Sequence, residues 1–309
     1  MKNKTTQKLV DDVLDIFKNN KNVISGTVVG SIINKPFDQI SDIDLVVIVK
    51  ELSLDKIINL KNELLGLSPK VYKLNKTFEV NDSFGPLKKE NDENIVFHLM
   101  VYDETEHKNH VINSPFTCYD WERSNYFVKK STKEVYATRN LMFCDFNDAR
   151  RGTKDYINDI KLNRISYRLY EESKTGLVQK KYFQDLDSKH KIEYSFHIIK
   201  NSIGNFIKLF LSRNEILNEE DFANLWKLTL PALYMNFYDA YKQLEIQKIQ
   251  KKYEDDSLIK VIPSFLDQFN SEIDKQYKNT QKFVFIRHFP TELNDGRLFG
   301  QKSDAPILK

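Results

Sequence analysis

Cysteine is scarce in this chain. Cys118 and Cys144 are the two present in 309 residues, they stand at no metal-ligand spacing, and they build no disulfide framework, which favours a reducing compartment. Long apolar runs are missing as well. No stretch of 18 apolar residues occurs, and the opening "MKNKTTQKLVDDVLDIFKNN" carries its apolar residues at helical spacing broken by charge, so neither a signal peptide nor a membrane span is expected. An excess of one charge is also lacking: 47 Lys and Arg against 44 Asp and Glu leave a net charge of +3, which gives no basic stripe of the kind that binds nucleic acid. No internal repeat or low-complexity linker interrupts the chain. These absences point to a cytoplasmic protein with no membrane partner. What is plentiful is core-forming material, with 40% hydrophobic residues including 21 Phe and 15 Tyr, in a length that exceeds one typical domain.

Apolar periodicity divides the chain. Leu9, Val10, Val13, Leu14 and Phe17 mark one face of an opening helix, and "NVISGTVVG" reads as a strand ending at Gly30. Strands are also expected at "IDLVVIV", "KVYKL" and "NIVFHLMVY", with a helix at "SLDKIINLKNELLGL" capped by Ser53 and a loop at "NDSFGPLKKENDEN". From about Phe116 the spacing becomes helical, in "YINDIKLNRISYRLY", "KIEYSFHIIKNSIGNFIKLFL", "DFANLWKLTLPALYMNFYDAY" and "SLIKVIPSFLDQFNSEI". The expected fold class is α+β: a mixed-sheet domain over residues 1–115, an all-α helical domain over 116–280 and a separate tail over 281–309.

The informative stretch is "VVGSIINKPFDQISDIDLVVIV", residues 28–49. Residues two apart on a strand share a face, so Asp42 and Asp44 project side by side while Ile43 and Leu45 point away. Paired carboxylates of this kind bind hard divalent cations, chiefly Mg²⁺, which keeps several waters and completes its shell with substrate phosphates. Upstream, Gly30 permits a sharp turn, and Ser31 can open a short helix whose free amides face an anion. An Asp-x-Asp alone is usually a solvated loop or cap, and a Gly-Ser alone is usually a turn. Strand, Gly-Ser, spacer, Asp-apolar-Asp and a β-branched strand in that order are far more specific.

In that order of features the segment resembles the DNA polymerase β-type nucleotidyltransferase superfamily, over roughly residues 5–110. The resemblance implies that Gly30 and Ser31 bind the triphosphate and that Asp42 and Asp44 bind Mg²⁺ or Mn²⁺. The superfamily usually adds a third acidic residue on a neighbouring strand. Here the interior polar residue of "NIVFHLMVYD" is His98, and Asp103 lies on the opposite parity. His98 is therefore a candidate base or ligand, or else a core histidine hydrogen-bonded across the sheet. Without a protein base, an acceptor that is already an anion, such as a phosphate or phosphonate, fits better than a hydroxyl.

The expected function is metal-dependent transfer of a nucleoside monophosphate from an NTP such as ATP to a small-molecule acceptor, releasing pyrophosphate, with nucleic acid not expected as a partner. Alternatives are an antibiotic-modifying nucleotidyltransferase and an inactive nucleic-acid-binding module on the same fold. Lys191, His197 and above all Lys200 could supply positive charge to the triphosphate, and Arg150 and Arg151 are ambiguous in the same way. Trp121, Tyr126, Phe127, Trp226 and Tyr238 could stack on a base, although aromatics at helical spacing are more often core. Finally, "FVFIRHFPTELNDGRLFGQKSDAPIL" resembles the opening of the histidine phosphatase family, which implies Arg287 as anion binder and His288 as nucleophile, with Phe289 in place of the family's usual glycine. That resemblance implies the front part of a longer nucleotidyltransferase-phosphatase fusion.

Overall fold

The computed structural model describes residues 4–33, 42–87, 89, 93–138, 153–174, 176–211, 217–253 and 256–281. The chain divides into two compact units, one of residues 1–138 with 166–183, the other of 139–165 with 184–309. The first unit is built on a five-stranded sheet. Its strands are β1 (Val23–Val29), β2 (Asp42–Val49), β3 (Thr77–Asn81), β4 (Asn94–Asp103) and β5 (Phe127–Lys129), in the order β3-β4-β2-β1-β5. β4 runs parallel to both β2 and β3, while β1 runs antiparallel to β2 and β5. The sheet is therefore mixed, as expected from the sequence.

Strand alternation gives β2 two faces. Ile43, Leu45 and Val47 point one way and Asp42, Asp44, Val46 and Ile48 the other, and from Leu45 onward the strand is buried on both. On the first face sit α1 (Lys4–Asn19) and α2 (Leu54–Leu65), the latter capped by Ser53, whose side chain accepts from the Lys56 amide. α1 lies very close to β1. A Cβ on Gly26 would come within 2.5 Å of the Cβ of Phe17, so glycine is what allows this approach. Phe97, opposite Ile43 in the ladder, packs on Phe78, which packs on Tyr72, whose hydroxyl donates to Asp12 of α1 at 2.7 Å. Among the described residues, helices cover the second face at the far end of the strands. There Tyr102, opposite Ile48, meets His110 of α3 (Glu104–Asn113) and Trp121 of α4 (Pro115–Trp121).

Two local expectations fail in this unit. "KVYKL" is not a strand: Pro69 opens a short 3-10 turn, Pro69–Tyr72, closed by Lys73 at φ +56°, and the burial of Tyr72 explains the apolar signal. The edge strand β3 forms instead just ahead of the loop that begins at Asn81. Residues 116–138, which helical spacing assigns to the later region, also belong here, because Trp121 packs on Tyr102 and β5 pairs with β1.

A further correction concerns "YINDIKLNRISYRLY". The helix α5 (Thr132–Val135) precedes this segment, and the segment's own helix, α6 (Lys154–Lys161), stops early; Asn163 turns at φ +47°, and the chain continues as β6 (Arg164–Ser173), paired with β7 (Gly176–Asp185). The β-branched and aromatic residues of "RISYRLY" favour the strand, and Tyr170 anchors it by donating to the Val101 carbonyl at 3.0 Å. Among the described residues after 138, the chain is thus helical apart from this hairpin. The second unit holds α6, α7 (Ser188–Leu211), α8 (Glu219–Thr229), α9 (Pro231–Gln250) and α10 (Val261–Gln281). Their core includes fully buried Trp226, Tyr194, Phe206, Phe265 and Phe269. Among the described residues no helix is long and apolar enough to cross a membrane.

Candidate active site

The site lies on the second face of the sheet, at the start of β2. Asp42 and Asp44 are half-buried on that face, with Ile43 and Leu45 buried on the other. β1 ends at Val29, directly opposite Asp44, and the chain then turns through Gly30 into the short 3-10 helix Gly30–Ile33. Gly30 has φ +80°, and a Cβ there would lie 2.2 Å from Asp44 Oδ2. Backbone strain alone would cost another residue type about 1–2 kcal/mol, so the overlap with the carboxylate is the stronger requirement. Gly30 is glycine so that Asp44 can occupy the hollow of the turn. Ser31 falls in the same helix, and its side chain is outside the described residues.

His98 stands opposite Asp44 in the parallel ladder, on the same face. Its Nδ1 lies 2.9 Å from Asp44 Oδ1, and its Nε2 lies 2.9 Å from the Ser83 carbonyl oxygen. Both neighbours are acceptors. Ser83 is held in turn by Asn81, which ends β3: Asn81 Oδ1 accepts from the Ser83 amide at 3.1 Å and from its hydroxyl at 2.7 Å, while Asn81 Nδ2 donates to the Leu87 carbonyl at 3.2 Å. This is an Asx turn, in which a short amide side chain satisfies the backbone two residues on. The two oxygens of Asp44 are thereby divided, Oδ1 toward His98 and Oδ2 toward Gly30.

The donor set suits a hard divalent cation. Two carboxylates share a face beside Gly30, which carries no Cβ, and among the described residues no group of three or more His, Cys, Asp and Glu could hold a metal by itself. A cation here would take Asp42 and Asp44 from the protein and fill its shell with water and phosphate oxygens, which is the habit of Mg²⁺.

The other sequence candidates are scattered. Lys200 is on α7 in the second unit, its Nζ 5.3 Å from the Phe196 ring centroid, and His197 accepts from Lys248 Nζ at 3.0 Å. Lys191 lies near the start of α7. Trp121 and Trp226 are core residues, Tyr126 packs at the edge of the sheet core, Tyr238 stacks on Tyr234, and Phe127 is exposed. Arg150, Arg151, Cys144 and the tail with Arg287 and His288 lie outside the described residues. Sequence reasoning missed Asn81 and Ser83, since Asn81 reads as the opening of a loop. The alternation in "TFEVN" was the available signal.

Residues 11–98 match the family model described as Polymerase beta, Nucleotidyltransferase, a span that runs from α1 to His98 and includes Gly30, Asp42 and Asp44. No curated protein and no solved structure matches the chain. Residues 11–98 thus form a nucleotidyltransferase domain of the polymerase β family, and the chain is a nucleotidyltransferase.

Proposed function

We propose that the chain transfers a nucleoside monophosphate from an NTP to a small-molecule acceptor, with Asp42 and Asp44 holding a divalent cation, Mg²⁺ or Mn²⁺, and the Gly30–Ser31 turn receiving the triphosphate. The observation that carries this reading is the placement of Asp44 Oδ2 against Gly30, which puts a carboxylate oxygen beside a residue that carries no Cβ. A cation bound there supplies Lewis-acid stabilisation of the triphosphate and its leaving group. The chain's own part is to orient: the β2 backbone fixes both aspartates on one face, and Gly30 sets no Cβ against Asp44. In the reaction an acceptor oxygen forms a bond to the α-phosphorus, the bond from that phosphorus to the bridging oxygen breaks, and pyrophosphate leaves with the electron pair.

The acceptor class follows from proton bookkeeping. A hydroxyl must lose its proton as it attacks, whereas a phosphate or phosphonate oxygen has none to lose. In register with Asp44 on β4 stands His98, not a carboxylate, and both of its ring nitrogens face protein oxygens. This supports a phosphorylated or phosphonylated acceptor. The test is pyrophosphate release from each of the four NTPs with Mg²⁺ or Mn²⁺, across phosphorylated, phosphonylated and hydroxyl-bearing acceptors, aminoglycosides included. Release that needs cation, NTP and an oxyanion acceptor together is the expected result. Release with hydroxyl acceptors alone would overturn the acceptor class, and no release with any acceptor, alongside salt-sensitive RNA binding, would overturn the enzymatic reading.

A further inference from the structure

The geometry points to His98 as a positioning residue that fixes the carboxylate of Asp44, rather than as a base or a metal ligand. The inference rests on the nucleotidyltransferase reading of the site and assigns a role to the residue standing where a third acid would be expected.

Three observations carry it. First, direction: Nδ1 points at Asp44 Oδ1 and Nε2 at the Ser83 carbonyl, each at 2.9 Å, so whichever nitrogen carries the proton, neither is aimed at open space where an acceptor or cation would approach. Second, anchorage: the carbonyl that holds Nε2 belongs to a turn clasped by Asn81, and both Asn81 and Ser83 are buried. A ring fastened at its far nitrogen presents its near one in a fixed direction. Third, division of labour: with Oδ1 committed to His98, the carboxylate plane of Asp44 is set so that Oδ2 enters the hollow at Gly30. A free aspartate turns about its terminal torsion, which is broad. The chain of contacts Asn81, Ser83, His98, Asp44 removes that freedom before any ligand binds.

The arrangement inverts the usual order in metal sites, where a ligating histidine is oriented by an outer carboxylate. Here the carboxylate is the inner group and the histidine the outer one. The physical consequence is the same, since an oriented ligand does not lose rotational freedom on binding. A third carboxylate in place of His98 would add negative charge and a third ligand; His98 instead supplies a donor and leaves two anionic ligands.

The test reads cation binding rather than turnover. Mn²⁺ is titrated by electron paramagnetic resonance against the whole chain in the presence of the α,β-methylene analogue of each of the four ribonucleoside triphosphates. His98→Ala is expected to weaken Mn²⁺ binding by about 10–100-fold, the usual consequence of losing an outer-shell partner. His98→Asn, whose amide nitrogen can stand where Nδ1 stood, is expected to restore most of that loss. Should His98→Ala not fold, His98→Gln takes its place: its amide reaches toward the Ser83 carbonyl but presents no donor to Asp44, and the same weakening is expected. Unchanged Mn²⁺ binding in His98→Ala or His98→Gln overturns the positioning role, with the nucleotidyltransferase reading intact. Equal loss in His98→Ala and His98→Asn overturns it in favour of a direct ligand. Absence of Mn²⁺ binding by the unaltered chain with every analogue removes the metal reading itself, and the inference with it.

Discussion

The strands β2 and β4 use the same face in opposite ways at their two ends. At one end Asp44 and His98 face each other with 23% and 13% of their side-chain surface accessible, joined by a hydrogen bond. Four residues along, Ile48 and Tyr102 face each other on the same side, and here another histidine, His110, lies stacked between Tyr102 and Trp121, with ring centroids 5.3 and 5.0 Å away. Burial, reinforced by the positive charges of His107 and Arg168, pushes the pKa of His110 down to about 3, and its Nε2 has no hydrogen-bond partner among the described residues. His98 has a protein oxygen within 2.9 Å of each ring nitrogen. His110 is packing material, an aromatic plate that stays neutral. The difference lies in cover: α3 and α4 close one end of the face, and His110 is part of that cover, whereas His98 is part of the strand.

The comparison breaks most visibly at the Asp44 end. Asp42→Asn and Asp44→Asn are each expected to lower cation-dependent pyrophosphate release by at least about a hundredfold, since several kcal/mol of charge stabilisation are lost with a metal ligand. The melting temperature should stay near that of the unaltered chain, because both residues are only half-buried. A variant that kept near-normal release would show that this end is not the reactive one.

A smaller loss is expected from Gly30→Ala. The added methyl must displace Asp44 Oδ2 or distort the turn at φ +80°, and an ångström of misplacement can cost about a hundredfold in rate. Release is therefore expected to fall by roughly ten- to a hundredfold, together with a modest drop in the urea midpoint of unfolding. Normal kinetics would mean that Asp44 has room to move, which would also weaken the role given to His98.

The covered end yields the smallest effect, one of pH dependence. The folded-state pKa of His110 lies below the unfolded value near 6.5, so the unfolded chain takes up a proton first as the pH falls. The contribution of neutral His110 is complete above about pH 6.5 and is lost as the pH drops toward about 3, with a slope of up to ~1.4 kcal/mol per pH unit. His110→Phe keeps a plate between Tyr102 and Trp121 and removes the titration. Urea midpoints between pH 7 and 5 should fall less steeply for this variant than for the unaltered chain, and equal slopes would show that His110 is not the group responsible.

Much of the site was legible because its signals are local. Glycine, aspartate spacing and the β-branched strand after them are consequences of backbone geometry, and they named Gly30, Asp42 and Asp44 without a structure. The identity of His98 as the polar interruption of β4 was legible in the same way. Asn81 was not, because an edge strand of five residues followed by "NDSFGP" offers loop chemistry and strand alternation at once, and the loop signal is the stronger. "RISYRLY" misled for a related reason: apolar residues spaced for a helix can also alternate on a strand, and the left-handed turn at Asn163 decides between them.

By itself, then, the sequence determined which side chains stand together, since two carboxylates on alternate positions of a strand must share a face whatever surrounds them. Only the tertiary structure decided where each neighbour stands. The ladder register set His98 beside Asp44, the Asx turn at Asn81 supplied the carbonyl that holds the ring's other nitrogen, and the absence of a Cβ at Gly30 made room for Oδ2. These contacts join residues 14, 15 and 54 positions apart. Pairings at such separations are fixed by the packing of the sheet and the loops across it, which periodicity along the chain does not encode.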